Sequence, residues 1–413
     1  MPTLRDPLWN NIRVDGPYVA LLDSAPFQRL RYVRQLGLAH LVYPGATHSR
    51  FEHALGAYHL ARLTVRVLAD HGELEGVPEA DRALVVAAAL LHDIGHYPFS
   101  HALEEIGVPH HEAVAGPLIA DGPVGDVLRA TWGADAPERV LALIRGTSDS
   151  PLQGLISGSI DLDKTDYLKR DAMMCGVAYG EIDVDRLRHA LTVVTDPVSG
   201  RRTVGLREKG LSALESLLFA KYQMYRNVYW QHAVRSATAM YKRLVEDALQ
   251  DGLLAVGALA GHTDEGLLHA IQEATARAGR PTPALLGAIT ERRLYKRALE
   301  VSAAELTGVA LEWIAEDRAR TRRAEAALAR AHGLGDGELL LDYPRKERML
   351  GLDLPLLARD GTVRRITDSG IAGALNLPVL GEQLYHSARW LRVFTARRLE
   401  LPRAAVLEAL AAG

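Results

Sequence analysis

Apolar residues run unbroken from Ala83 to Leu91 and give way to His92 and Asp93. A helix that is apolar on all sides is a buried one, so this segment predicts a core helix carrying the polar pair into the interior. The flanking segments are amphipathic. Asp23 or Ser24 is placed to cap a helix from Pro26 through Leu36, with Pro26 suited to the first turn and Gly37 to the end. Its arginines would form an ordinary solvent face. Ser49 and Glu52 have capping-box spacing and open a long helix through Asp70, which sets Arg50 and His53 on one face near its start. Pro109 to Glu112 opens another helix. The run Ser157 to Asp171 predicts one more, with Ile160, Leu162 and Leu168 on its buried side.

Strand patterns are few. Asp15-Gly16-Pro17 signals a turn, so a small hairpin is expected near the start. Leu191 to Thr195 and Thr203 to Leu206 flank Asp196 to Gly200 as a second hairpin. A long helix from about Arg207 to Gln250 follows, with an aromatic and polar patch from Tyr222 to His232. Beyond Gly252 the pattern predicts further helices to about His332, including a charged, solvated one from Arg318 to Arg330. Short strands near Glu338 to Asp342, Val363 to Ile366 and Trp390 to Phe394 come next, then a closing helix from Arg403 to Leu410. The expected fold is mainly α with small peripheral β-hairpins. Residues 1–190 form a helical core, 191–250 a hairpin and long helix that complete the site and an oligomer interface, and 251–413 an α+β region.

The 413 residues hold enough apolar side chains for a sizeable core. No apolar run approaches the ~20 residues that span a bilayer, and the first residues lack the basic-then-apolar order of a signal peptide. The lone cysteine, Cys175, fits a reducing compartment, so a cytoplasmic protein with no membrane partner is expected. A net charge of -3 gives no global basic footprint, which argues against a nucleic-acid partner.

Chemistry concentrates in one stretch. Ten of the sixteen histidines fall between His40 and His111, and the buried helix ends in H-D-x-x-H-x-x-x-x-H, with His92, Asp93, His96 and His101. A buried carboxylate is usually paired or bound to metal, and His-Asp offers one nitrogen and one oxygen ligand. His96 would share a face with His92 if the helix continued, while Gly95 and Pro98 end it and free His101 to approach from a turn. The aspartates and bases from Asp161 to Asp171 are compatible with a salt-bridged surface. They are also compatible with a helix that gives one carboxylate to a metal and one lysine to a phosphate. His53, His92, Asp93 and Asp163 together make a mixed N/O set suited to one divalent ion, Mn, Fe, Ni, Co or Zn, with Mg less preferred.

The order H…HD…D resembles the HD-domain metal-dependent phosphohydrolases. The segments Phe27 to Gly37, Tyr43 to Gly56, His92 to His101 and Asp161 to Asp171 look like the branch of deoxynucleoside triphosphate triphosphohydrolases, which includes the vertebrate enzyme with SAM and HD domains. The likeness is strong over roughly residues 10–235 and general beyond, and no SAM domain is expected before residue 10.

This resemblance implies an HD-domain helical core and metal ligands at His53, His92, Asp93 and Asp163. It implies that His96, His101 and His111 act around the scissile phosphate, with Glu104 orienting His101. Arg50, Lys164 and Tyr167 would hold the phosphates, while Gln35, Leu36 and Asp171 meet the sugar. A phosphate-binding arginine usually comes from the aromatic-rich helix; Arg226 stands nearest, with altered spacing. Asp23, Gln28 and Arg31 match part of an allosteric nucleotide site.

The implied protein is a dNTPase: a nucleotide-binding hydrolase, with manganese among its metals, assembling as a homodimer or homotetramer. Metal, Lys/Arg and histidine supply the activated water, charge neutralisation and proton that triphosphate hydrolysis needs. Two alternatives remain open. One is the same site acting on nucleoside monophosphates, cyclic nucleotides or nucleic-acid ends; the other is a nucleotide-sensing module with little turnover.

Overall fold

The computed structural model describes residues 2–306, 309–345, 353–366, 384 and 386–412, so parts of the expected 251–413 region lie outside the described residues. Helix Arg50–Asp70 packs against helices Glu79–Leu91 and Leu162–Cys175. Ser49 and Glu52 form the expected capping box, which fixes where the central helix starts and therefore which way His53 points. Every residue from Leu84 to Leu91 is buried, as a helix without a polar face requires. Gly56 allows the close approach of Leu162–Cys175, since a Cβ there would lie 1.8 Å from Asp166 Oδ1.

Small sheets decorate this mainly α molecule. Thr3–Asp6 and Asn10–Arg13 form the N-terminal hairpin. Leu191–Thr195 and Arg202–Arg207 pair antiparallel and are extended by Leu354–Leu357 and Val363–Ile366. A second apolar cluster joins helix His232–Gln250 to Tyr97, Phe99 and Leu103, and to helices Asp264–Arg277 and Ala284–Thr290. A third core lies under the sheet Lys296–Ser302, Trp390–Thr395 and Leu339–Asp342, covered by helices Arg318–Ala331 and Arg403–Ala412. Among the described residues no helix is long and apolar enough to cross a membrane.

Several expectations are corrected, most of them where tertiary contacts override local pattern. The turn signal at Asp15-Gly16-Pro17 opens helix Gly16–Leu22. The helix expected through Leu36 stops at Gln28, continues as a 3-10 turn over Arg29–Tyr32, and becomes extended at Val33. There the Arg50 N–H donates to Val33 O at 2.9 Å and the Gln35 N–H to His48 O at 3.0 Å, binding the segment to the loop before the central helix. Its arginines are not all solvated: Arg29 donates to the carbonyls of His96 and His262, and Arg34 to Asp264.

The core helix ends at Leu91, so His96 does not continue its register. The single helix expected over 207–250 is two, Leu211–Met224 and His232–Gln250, separated by a π turn over Tyr225–Tyr229. Gln231 caps the second by accepting from the Ala233 and Val234 N–H groups at 2.6 and 3.0 Å. Strand Lys296–Ser302 interrupts what was read as helices only, because it pairs with Trp390–Thr395 across about a hundred residues of chain. Helix Arg318–Ala331 is not simply solvated either, since it buries Thr321, Glu325, Leu328 and Ala329.

Candidate metal centre and active site

The four residues expected as ligands meet. His53 Nε2 lies 3.2 Å from His92 Nε2, 2.9 Å from Asp163 Oδ1 and 3.7 Å from Asp93 Oδ2. His92 Nε2 lies 3.4 Å from Asp93 Oδ1 and 3.6 Å from Asp163 Oδ1. Ligands bonded at ~2.1 Å to one ion are separated by roughly 3.0–3.4 Å along the edges of its coordination polyhedron, so these spacings suit a common centre. The backs of both rings are already committed: His53 Nδ1 to Asp166 Oδ2 at 2.8 Å, and His92 Nδ1 to Ala89 O at 2.9 Å. With the Nδ1 protons donated there, His53, His92 and Asp93 form a group able to hold a metal ion, and Asp163 lies against both imidazoles.

That arrangement calls for positive charge. Burial lowers the affinity of His53 for a proton, but Asp163 and Asp166 outweigh it and push the imidazole up to about 10. His92 is raised against burial by Asp93 and Asp163. Asp93 is held well below the usual carboxylate range despite burial, by Arg50 and the two imidazoles. A cation fits the centre, and two nitrogens with two oxygens fit a divalent transition metal. Asp166 is in turn gripped by Arg170, at 2.9 and 3.0 Å, and by the Trp9 indole N–H, while Arg170 reaches Asp6 at 2.8 Å. Carboxylate partners of this kind fix the tautomer and direction of a ligating histidine.

Beside the centre, Glu104 orients two more imidazoles, through His101 Nδ1 at 3.1 Å and His111 Nδ1 at 2.6 Å. The His96 ring packs on His111 with centroids 3.8 Å apart, and His96 Nε2 lies 3.5 Å from His101 Nε2. Burial and the nearby Arg50 hold His96 well below the usual histidine range, so it is neutral. The His101 side chain is 60 % exposed, on the wall of a cavity of about 590 Å³.

The same cavity is lined by Gln35, Leu36, Arg50, Glu104, Asp163, Tyr167 and Asp171, which bring together the metal and sugar sides of the expected site. Asp171 is fixed by His48 Nε2 at 2.8 Å and by the Tyr229 hydroxyl at 2.7 Å. The Gln35 Oε1 is buried without a hydrogen-bond partner. The expected cations are differently placed. Arg50 donates Nη1 to Asp93 at 2.5 Å and Nε to Ser100 at 3.0 Å. Lys164 is held by Asp161 and by Gly158 O, and Arg226 by the Tyr222 hydroxyl at 2.7 Å. Neither Lys164 nor Arg226 lines the cavity, whereas Arg235 and the exposed Arg345 do.

Sequence reasoning did not assign Asp166, His48, Ser100 or Arg235 to the site. The i, i+4 pair Asp166 and Arg170 was a signal for the first. Nothing local marks the others, whose partners lie far along the chain.

Residues 50–171 match the HD domain and residues 182–376 the HD-associated region, and the chain belongs to the HD-domain phosphohydrolase family. Among its relatives is the protein MJ1154 of Methanocaldococcus jannaschii, 35% identical over 76% of this chain and 63% of the relative. Another is the deoxynucleoside triphosphate triphosphohydrolase SAMHD1 of Bos taurus, 30% identical over 57% of this chain and 45% of the relative. The chain thus spans about half to two-thirds of the length of these curated relatives. A crystal structure of a hypothetical protein from Aquifex aeolicus is similar over 99% of both chains, at 28% identity and a TM-score of 0.72. A phosphohydrolase from Bacteroides thetaiotaomicron, at 22% identity and a TM-score of 0.73, shares the fold.

Proposed function

We propose that this chain is a metal-dependent hydrolase releasing tripolyphosphate from deoxynucleoside triphosphates. The observation that carries the reading is the gathering of His53, His92, Asp93 and Asp163 beside a cavity lined on another side by Gln35, Leu36, Tyr167 and Asp171. Likeness to the triphosphohydrolase SAMHD1 supports the substrate class. The four ligands would hold a divalent ion, which when bound neutralises phosphate charge and lowers the pKa of water.

The chain's own residues do the rest. His101, held at Nδ1 by Glu104, presents Nε2 to the cavity, where it gives a proton to the leaving 5′-oxygen. His111 shares Glu104, which fixes the two rings together. Asp171, clamped by His48 and Tyr229, accepts from the sugar 3′-hydroxyl, to whose oxygen the Gln35 side-chain amide donates, while Leu36 crowds the 2′ position.

One observation favours a second reading, hydrolysis of a monophosphate or cyclic nucleotide. Arg50 and Lys164 are engaged with carboxylates, which leaves Arg345 as the exposed cation on the cavity wall among the described residues. A product assay on dNTPs, NTPs and deoxynucleoside monophosphates with several divalent metals separates the two. Tripolyphosphate is expected, with kcat/KM for dNTPs exceeding NTPs by roughly 10- to 200-fold. Orthophosphate from monophosphates alone would install the second reading.

A further inference from the structure

The arm that carries Gln35 and Leu36 and the arm that carries His101 are remote in sequence and meet backbone to backbone. Gly37 adopts φ +52°, and a Cβ there would lie 2.7 Å from Phe99 O. Phe99 and Ser100 both have positive φ, 57° and 63°, a conformation that persists only where surroundings impose it. Ser100 Oγ accepts from Arg50 Nε and lies 2.7 Å from Arg34 O, but it leaves the Phe99 and Arg34 amides to find acceptors elsewhere.

Both find the same carboxylate. The Phe99 N–H donates to Asp264 Oδ1 at 2.7 Å, and the Arg34 N–H and Nη1 donate to Asp264 Oδ2 at 3.0 and 3.1 Å. Asp264 is completely buried, at the first position of helix Asp264–Arg277, more than 160 residues from either arm. Its neighbours reinforce the contact. Glu265 takes Arg34 Nη2 at 2.5 Å, and Arg29 bridges His262 O at 2.8 Å to His96 O at 2.7 Å. A helix cap needs none of this: Thr263 already caps the helix through the Gly266 N–H. A buried carboxylate is costly unless its donors are supplied, and here they come from the two arms of the site rather than from its own helix.

We propose that Asp264 is a positioning residue for the active site, its carboxylate clipping the sugar-binding arm at Arg34 to the histidine arm at Phe99. It touches no substrate; it sets the distance between Gln35 and Leu36 on one side and His101 on the other. The kinetic consequence rests on the hydrolase reading above, whereas the structural one does not.

The test compares wild type with Asp264→Asn, which keeps shape and removes one acceptor, and with Asp264→Ala. Hydrogen exchange by mass spectrometry should show faster exchange in both 31–36 and 97–101, with 53–68 and 84–91 unchanged. Metal content should stay at the wild-type level. In Asp264→Asn kcat for a dNTP should fall 10-fold or more, and the dNTP/NTP ratio of kcat/KM should narrow by at least 3-fold. A merely structural role lowers the folded fraction and leaves that ratio alone. If Asp264→Ala does not fold, Asp264→Asn decides. Unchanged exchange in either arm, or an unchanged ratio and kcat, overturns the proposal. A wild type without dNTP turnover removes the proposed function instead, and the exchange result then decides the clip by itself.

Discussion

Two regions of this molecule bury many charges, and they do so in opposite ways. Along helix His232–Gln250 the residues Arg235, Lys242, Arg243 and Glu246 are all buried, and each faces a group of opposite sign. Arg235 meets Glu105 through two bonds of 2.9 Å and Asp342 at 2.6 Å; Lys242 meets Glu105 at 2.7 Å; Glu246 meets Arg318 at 2.6 Å. Those pairs close on themselves. At the HD centre the outer pairs also close, Asp166 with Arg170 and Glu104 with His101 and His111, but the inner atoms of His53, His92, Asp93 and Asp163 point at one another. Buried charge alone therefore does not mark a site. Two imidazoles and two carboxylates gathered at one place, with Arg50 meeting only Asp93, do, because such a set is suited to a divalent cation.

The sharpest way to break this contrast is at His101, which is oriented by Glu104 but stands outside the ligand set. His101→Ala should lower kcat by ~10²–10⁴-fold with metal content intact, read by steady-state kinetics and elemental analysis. Loss of the metal would move His101 into the centre. In the paired region, Asp342→Ala leaves Arg235 short of a partner and should destabilise by about 3–5 kcal/mol in chemical denaturation while retaining metal. Asp166→Ala should weaken metal affinity by ~10–100-fold in chelator competition, because His53 loses the acceptor that fixes its ring. An unchanged affinity would mean that Asp166 serves the fold only. Leu36→Ala should narrow the dNTP/NTP preference several-fold without touching metal binding.

The smallest effect lies in the paired region and depends on pH. Burial pushes the Glu325 carboxyl up to about 7, against Arg318, the Leu341 N–H and Arg243. A folded value raised above the unfolded one means the folded chain keeps a proton the unfolded chain has lost. The resulting penalty is absent at pH 4, grows between about 4.5 and 7, and is complete above 7. Glu325→Gln should thus be about 1–2 kcal/mol more stable than wild type at pH 8 and lose that advantage by pH 5, measured by urea midpoints. A flat difference would place the cost elsewhere.

What the sequence disclosed follows the same division. The grouping of His53, His92 and Asp93 was legible because they sit in short motifs whose spacing survives folding, a capping box that fixes His53 and an apolar helix that ends at His92, whereas Asp163 was singled out only by the H…HD…D order. The bent arm at 29–36 was read as an amphipathic helix, since its periodicity fits one. What bends it, the carbonyls of His96 and His262 and the carboxylate of Asp264, lies far away along the chain. Strand Lys296–Ser302 and the π turn at Tyr225–Tyr229 were hidden for the same reason, as their partners are set by tertiary packing. Arg235 and His48 carry no local pattern at all.

Elemental analysis of three purified chains tests the central claim most directly. Wild type and Asp342→Ala should each hold one divalent metal ion per chain, and Asp93→Ala, which lacks the carboxylate between Arg50 and the two imidazoles, should hold none. Full occupancy in Asp93→Ala would contradict the assignment of the gathered imidazoles and carboxylates as a metal centre, and with it the distinction drawn between the two charged regions.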